Sequence, residues 1–152
     1  MKYIITKEFT FEAAHRLIRN YEGKCSNNHG HSYRVKLYLA GDALDEKDML
    51  LDFNETKELR HWIDNNLDHT TILWEEDPMV EMMMRFENRL VVTNKNPTSE
   101  HIAELILAQA QRLFENSSVK VHCVEVSETS TSSARVYPAQ NEENKNNSDE
   151  RI

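Results

Sequence analysis

Residues 3–15 read YIITKEFTFEAAH, and residues 31–39 read HSYRVKLYL. Both stretches alternate. In the first, Tyr3, Ile5, Phe9, Phe11, Ala13 and His15 share one parity, and Thr6, Glu8, Thr10 and Glu12 share the other. In the second, Tyr33, Val35, Leu37 and Leu39 oppose Ser32, Arg34 and Lys36. A period of two places each set on one face of a half-buried strand. The apolar face of the first strand ends in a histidine. His31 opens the apolar face of the second, and His29 shares its parity two residues earlier.

Two helices and two further strands follow. Asn54 reads as an N-cap, with Leu59, Trp62, Ile63 and Leu67 at helical spacing behind it. Asn96-Pro97 reads as the start of a second helix, since Pro is tolerated in a first turn. Its apolar stripe is Ile102, Leu105, Ile106, Ala110 and Leu113. Residues 119–128 (VKVHCVEVSE) and 133–137 (SARVY) read as strands. Strands grouped in pairs rather than alternating with helices predict an α+β fold with an antiparallel sheet. Residues 70–96 read as a long loop, of a length that is often functional. Its Met82-Met83-Met84 suits a buried contact or a subunit interface better than a ligand role.

The chain has 152 residues, with 18 Lys+Arg against 26 Asp+Glu, a net charge of −8. That length makes one domain able to bury a core without disulfides. The acidic balance argues against a nucleic-acid partner and against an anionic membrane surface. No apolar run approaches a membrane span, and the first residues lack a signal-peptide pattern. Two cysteines, Cys25 and Cys123, suit a reducing cytoplasm and leave both thiols free. Three glycines form neither a phosphate loop nor a dinucleotide fingerprint. Composition changes once: 1–138 is expected to be a single catalytic domain, and 139–152 (AQNEENKNNSDERI) a disordered acidic tail.

The chemistry gathers in His15, Cys25, His29 and His31. Zinc favours nitrogen and sulfur ligands in a tetrahedron. His29 and His31, two apart on an extended chain, point to one side, and Gly30 between them lets their side chains converge. His15 can add a third nitrogen from the neighbouring strand, leaving one position open for catalysis. Cys25 is either a fourth ligand closing a structural site or a free nucleophile or base; spacing leaves both open. Asp68-His69 at the end of the first helix has the form of an acid–base unit. Glu128 at a strand end is either a solvated carboxylate or a buried grip for a guanidine-like ligand edge. His61 reads as solvated, His101 as a helix-end residue, and His122 as a packing residue.

These pieces resemble the 6-pyruvoyl-tetrahydropterin synthase / 6-carboxytetrahydropterin synthase family. The matching segments are Phe9-Thr10-Phe11-Glu12-Ala13-Ala14-His15-Arg16-Leu17, then Cys25, then His29-Gly30-His31, then Asp52-Phe53. Leu67-Asp68-His69, Pro97-Thr98-Ser99-Glu100 and Glu128-Thr129 complete them. The resemblance covers residues 3–137. It implies a tunnelling fold, an antiparallel sheet with two helices on one face, assembled into a trimer-based homo-oligomeric ring such as a hexamer. It implies zinc (Zn2+) on His15, His29 and His31, catalysis by Cys25, Asp68 and His69, and a pterin site at Glu128, Thr98 and Ser99. Active sites would lie between subunits, so that Asp68 and His69 serve a neighbour's zinc. The three residues between Cys25 and His29 resemble the bacterial 6-carboxytetrahydropterin synthases of the queuosine pathway, whose substrate is 7,8-dihydroneopterin triphosphate. The pyruvoyl-forming branch is the alternative within the family.

Two readings from other classes compete. A non-catalytic module with a closed zinc site explains the four ligands but not Asp68-His69 or Glu128. A zinc hydrolase would activate metal-bound water, yet the helical His-Glu-x-x-His pattern is absent. An anionic triphosphate needs cations, and Arg16, Lys24, Arg34 and Arg135 are candidates, with a solvated role as the default for each.

Overall fold

The computed structural model describes residues 1–139. The tail expected over 139–152 therefore lies outside the described residues from 140 onward. Strands β1 (Tyr3–His15) and β2 (His29–Gly41) form the centre of the sheet, the first at the bounds the alternation predicts and the second two residues longer at each end. They pair antiparallel in unbroken register from Tyr3↔Gly41 to His15↔His29. Helix α1 (Lys57–Asn66), strand β3 (Thr70–Trp74), helix α2 (Met79–Arg85) and strand β4 (Leu90–Thr93) follow. Helix α3 (Ser99–Leu113) and strands β5 (Lys120–Thr129) and β6 (Ser132–Val136) complete the chain. One six-stranded sheet results, in the order β4-β3-β1-β2-β5-β6.

The α+β class stands, and the long loop over 70–96 does not. That segment forms two strands around a short helix, and its strands pair in parallel: β1 with β3 and β3 with β4. The sheet is thus mixed rather than purely antiparallel. A crossover through α2 returns the chain to the same end of the sheet, and such a return makes parallel neighbours. Periodicity could not reveal β3, because Thr70 to Leu73 are all buried and no alternation exists to be read.

Helices α1 and α3 pack on one face of the sheet. Leu59 and Ile63 from α1, Leu67 just past its end, and Ile102, Ile106 and Ala110 from α3, meet Phe9, Phe11, Tyr33, Val35, Leu37, Val124 and Val126. Each fully buried Leu or Ile contributes about 1.5–3 kcal/mol of transfer free energy. Ala103 and Leu107 complete the inner stripe of α3, while Leu113 is 37% exposed. The stripe is therefore rotated slightly from the predicted one.

Both predicted helix starts shift. Asp52, not Asn54, caps a single tight turn (Phe53–Thr56) by accepting from the Asn54 N–H, and that turn leads into α1, whose own N-cap Thr56 makes no side-chain bond. Thr98 caps α3 by accepting from the His101 N–H, leaving Pro97 just outside the helix. In both cases the residue with a free side-chain oxygen at the right offset wins. Of the methionine run, Met82 and Met84 are exposed in this chain, as is Phe86, so of the two expected roles a buried contact within the chain does not apply to them.

Candidate metal centre and active site

The β1–β2 register builds the histidine cluster. His15 lies directly opposite His29, and His31 lies two residues further along the same face, opposite Ala13. Opposed Cβ atoms in such a ladder are about 5 Å apart, so opposed and diagonal imidazoles meet. His15, His29 and His31 each offer one ligand atom, and these atoms lie within 4.8 Å of one another. The rings stand edge to face or tilted, with centroids 4.7 to 5.0 Å apart.

Hydrogen bonds fix two of the tautomers. His15 Nδ1 lies 2.7 Å from the Pro97 carbonyl oxygen. His29 Nδ1 lies 2.7 Å from the Asn27 carbonyl oxygen. A carbonyl only accepts, so each Nδ1 carries the hydrogen, and in the neutral tautomer that this selects Nε2 presents the lone pair. These two Nε2 atoms face each other at 3.2 Å. Two lone pairs at that distance repel, and a shared cation turns the repulsion into attraction. Tetrahedral ligation at Zn–N of about 2.05 Å puts ligand nitrogens roughly 3.3 Å apart, close to this separation. His31 Nε2 is buried without a partner among the described residues. Burial lowers the pKa of His15 and of His31, favouring the neutral rings that bind metal. The residues fit a divalent cation.

Cys25, Asp68, His69 and Glu128 contribute no atom to that group. Cys25 is half-buried in a tight turn (Lys24–Ser26), and its carbonyl accepts the Leu17 N–H at 2.8 Å. Its thiol forms no disulfide. Cys123 is buried on β5, where burial pushes its thiol pKa up. Only Cys25 is open to chemistry, against the expectation that both thiols are.

Glu128 approaches the cluster, its Oε1 lying 3.9 Å from His15 Nε2. Its strand explains why: the β5–β6 register shifts between Ser127 and Thr129. A bulge at that position re-aims the intervening side chain. Thr98 and Ser99 flank the cluster through Pro97, the residue that holds His15. The Thr98 hydroxyl is already engaged as the α3 cap.

Asp68 and His69 are held from the other side of β1. Asp68 Oδ1 accepts the Glu12 N–H at 2.8 Å, and Oδ2 lies 2.8 Å from His69 Nδ1. The His69 N–H returns a bond to the Glu12 carbonyl at 2.6 Å. The Glu12 N–H holds the Asp68 carboxyl below the usual carboxylate range, outweighing desolvation, with His69 adding to it. His69 has φ +54°, a left-handed conformation that non-glycine residues adopt at some cost. Its side chain is 73% exposed. The pair is oriented and ionisable, and it faces outward from this chain.

Sequence reasoning missed the carbonyls of Pro97 and Asn27 and the backbone of Glu12. Backbone groups carry no residue signature, so only their contacts reveal them. Gly30 departs from its expected role. A Cβ there would meet only the Ala13 carbonyl oxygen, at an ordinary 3.5 Å, and its φ is not positive. The convergence of His29 and His31 comes from the strand period rather than from the glycine. The other histidines stay outside: His61 is exposed, His101 is buried beside Glu104, and His122 packs edge-on against Tyr137.

Of the four cations considered for a triphosphate, three are engaged. Arg16 makes a two-pronged bond to Asp77, Arg135 to Glu125, and Arg34 pairs with Glu8. Lys24, in the same turn as Cys25, makes no ion pair among the described residues.

Residues 4–139 match the family described as 6-pyruvoyl tetrahydropterin synthase. A Synechocystis protein named 6-carboxy-5,6,7,8-tetrahydropterin synthase is 39% identical over 89% of this chain and 93% of its own length. A Bacillus subtilis protein of the same name is 34% identical over 80% of this chain and 75% of its own. Among solved structures, an uncharacterized protein of Wolinella succinogenes superposes with a TM-score of 0.80 at 27% identity, covering 90% of this chain and 98% of that one. The Caenorhabditis elegans 6-pyruvoyl tetrahydropterin synthase superposes at 0.68 and 25% identity, covering 90% and 96%.

Proposed function

The chain belongs to the 6-pyruvoyl tetrahydropterin synthase family, and from that premise we propose that it is a zinc-dependent 6-carboxy-5,6,7,8-tetrahydropterin synthase. Family membership makes it a pterin synthase and a lyase. The finer reading is that it converts 7,8-dihydroneopterin triphosphate and water to 6-carboxytetrahydropterin, acetaldehyde and triphosphate, within queuosine biosynthesis in the cytoplasm. The observation that carries it is the convergence of three imidazoles, those of His15, His29 and His31, on one point. The names of the curated relatives support the same branch.

His15, His29 and His31 would hold the zinc, which when bound supplies Lewis acidity toward the side-chain hydroxyls of the substrate. Cys25 accepts a proton from the substrate side chain as a thiolate. His69, oriented by Asp68, carries a proton to or from the substrate as general acid and base. Glu128 accepts hydrogen bonds from the pterin's amino group and ring N–H, with Thr98 and Ser99 lining the same pocket. Lys24, which makes no ion pair among the described residues, would meet the triphosphate, whereas Arg16 and Arg135 are already paired with carboxylates. The outward-facing His69 suits a homo-oligomeric ring in which Asp68 and His69 complete a neighbour's site. No helix among the described residues is long and apolar enough to cross a membrane.

The test is anaerobic incubation of metal-loaded protein with 7,8-dihydroneopterin triphosphate, followed by mass spectrometry. Acetaldehyde with a 6-carboxytetrahydropterin is the expected outcome. A 6-pyruvoyl product without acetaldehyde would move the protein to the other branch with the same site. No turnover by fully metallated protein would reject the reading.

A further inference from the structure

Asn96 lies just before the residue that holds His15, and its amide spans to a distant loop. Its Oδ1 accepts the N–H groups of Ile18 at 3.2 Å and Arg19 at 3.0 Å. Its Nδ2 donates to the Arg19 carbonyl at 2.8 Å. One side chain thus satisfies three backbone groups of a segment far away in sequence. That segment leads from His15 at the end of β1 to the Cys25 turn. It is tied to that turn by the bond from Leu17 N–H to the Cys25 carbonyl at 2.8 Å. Past Arg19 the chain reverses through Asn20, whose φ of +53° is one asparagine tolerates well. On its other side, Asn96 adjoins Pro97, whose carbonyl fixes the His15 tautomer.

We propose that Asn96 is a positioning residue that clamps the Cys25 turn at a set place relative to the histidine cluster. The inference rests on the reading of Cys25 as the catalytic thiol. A loop held only at its two ends samples many conformations, and three hydrogen bonds at its middle remove most of them. Displacing a reacting group by about 1 Å can cost on the order of 100-fold in rate. Asn96 acts on kcat through geometry and touches no substrate.

Asn96→Ala removes all three bonds. Asn96→Asp keeps the two accepted ones and sets a carboxylate against the Arg19 carbonyl, so it serves if the alanine variant does not fold. Hydrogen exchange by mass spectrometry on the full chain reads the clamp without substrate. Uptake is expected to rise in peptides spanning 16–26 and to stay constant across β2. In the pterin triphosphate assay kcat is expected to fall about 10- to 100-fold for alanine and less for aspartate. KM and zinc content are expected to hold. Unchanged exchange in 16–26, an unchanged kcat, or zinc lost in step with activity would each overturn the proposal. If the wild-type protein makes no product, the proposed function falls while the exchange measurement still decides the clamp.

Discussion

Replacing Asp77 with alanine tests whether the buried ion pair with Arg16, the residue after His15, holds the molecule together. The Asp77 side chain is fully buried and that of Arg16 is 24% exposed. The carboxylate accepts from Arg16 Nε at 2.7 Å, from Arg16 Nη2, and from the Met79 N–H at 2.7 Å, the last at the start of α2. Removing one partner of a buried pair leaves the other charge stranded, at about 3–5 kcal/mol. The exposed part of Arg16 recovers some hydration, which places Asp77→Ala near the lower end, about 3 kcal/mol. At about 2–4 °C per kcal/mol for a chain of this size, the midpoint drops by roughly 6–12 °C. The pH dependence carries a sign. Burial raises the Asp77 pKa, but the bonds from Arg16 and Met79 outweigh it and hold the carboxyl below its usual range. The contribution is therefore present above the unfolded-state pKa of about 4 and is lost as pH falls through the folded value. Thermal unfolding at fixed protein concentration, at neutral and acidic pH, checks both. A loss of under about 1 kcal/mol at neutral pH would refute the buried-pair argument. So would a difference between wild type and variant that is just as large at acid pH.

Cys25→Ala should keep its zinc and lose turnover, by metal analysis beside product assay; zinc loss would instead support the closed four-ligand site. His29→Ala should lose both zinc and activity, and a variant that keeps them would remove His29 from the ligand set. Gly30→Ala should bind metal and turn over like wild type, since its methyl meets only an ordinary contact; a large loss would restore a steric role for the glycine. Lys24→Ala should raise KM for the triphosphate substrate several-fold with kcat little changed, whereas Arg16→Lys should show its effect in unfolding midpoints. Equal KM values for Lys24→Ala and wild type would exclude Lys24 from the phosphate site.

The sequence by itself determined the strands β1 and β2, both long helices and the identity of the cluster histidines. Each of these is written in local periodicity, and burial of one face enforces it. Tyr33, Val35, Leu37 and Leu39 are all buried as their parity requires. The short motifs around His15, His29, Asp68 and Pro97 were likewise legible, because chemistry needs particular side chains. Tertiary structure decided what depends on partners distant in the chain. Strand β3 is buried throughout and so shows no period. The parallel pairing of β3 and β4 follows from a crossover that no local pattern encodes. The geometry of the histidine cluster needs the register that sets His15 opposite His29 and the carbonyls of Pro97 and Asn27 that orient both rings. Arg16 reads in sequence as a free cation and proves in the fold to be spent on Asp77. Side-chain types state which chemistry is available. Register, burial and backbone hydrogen bonds determine which groups meet, and those are sums over contacts that a one-dimensional pattern does not contain.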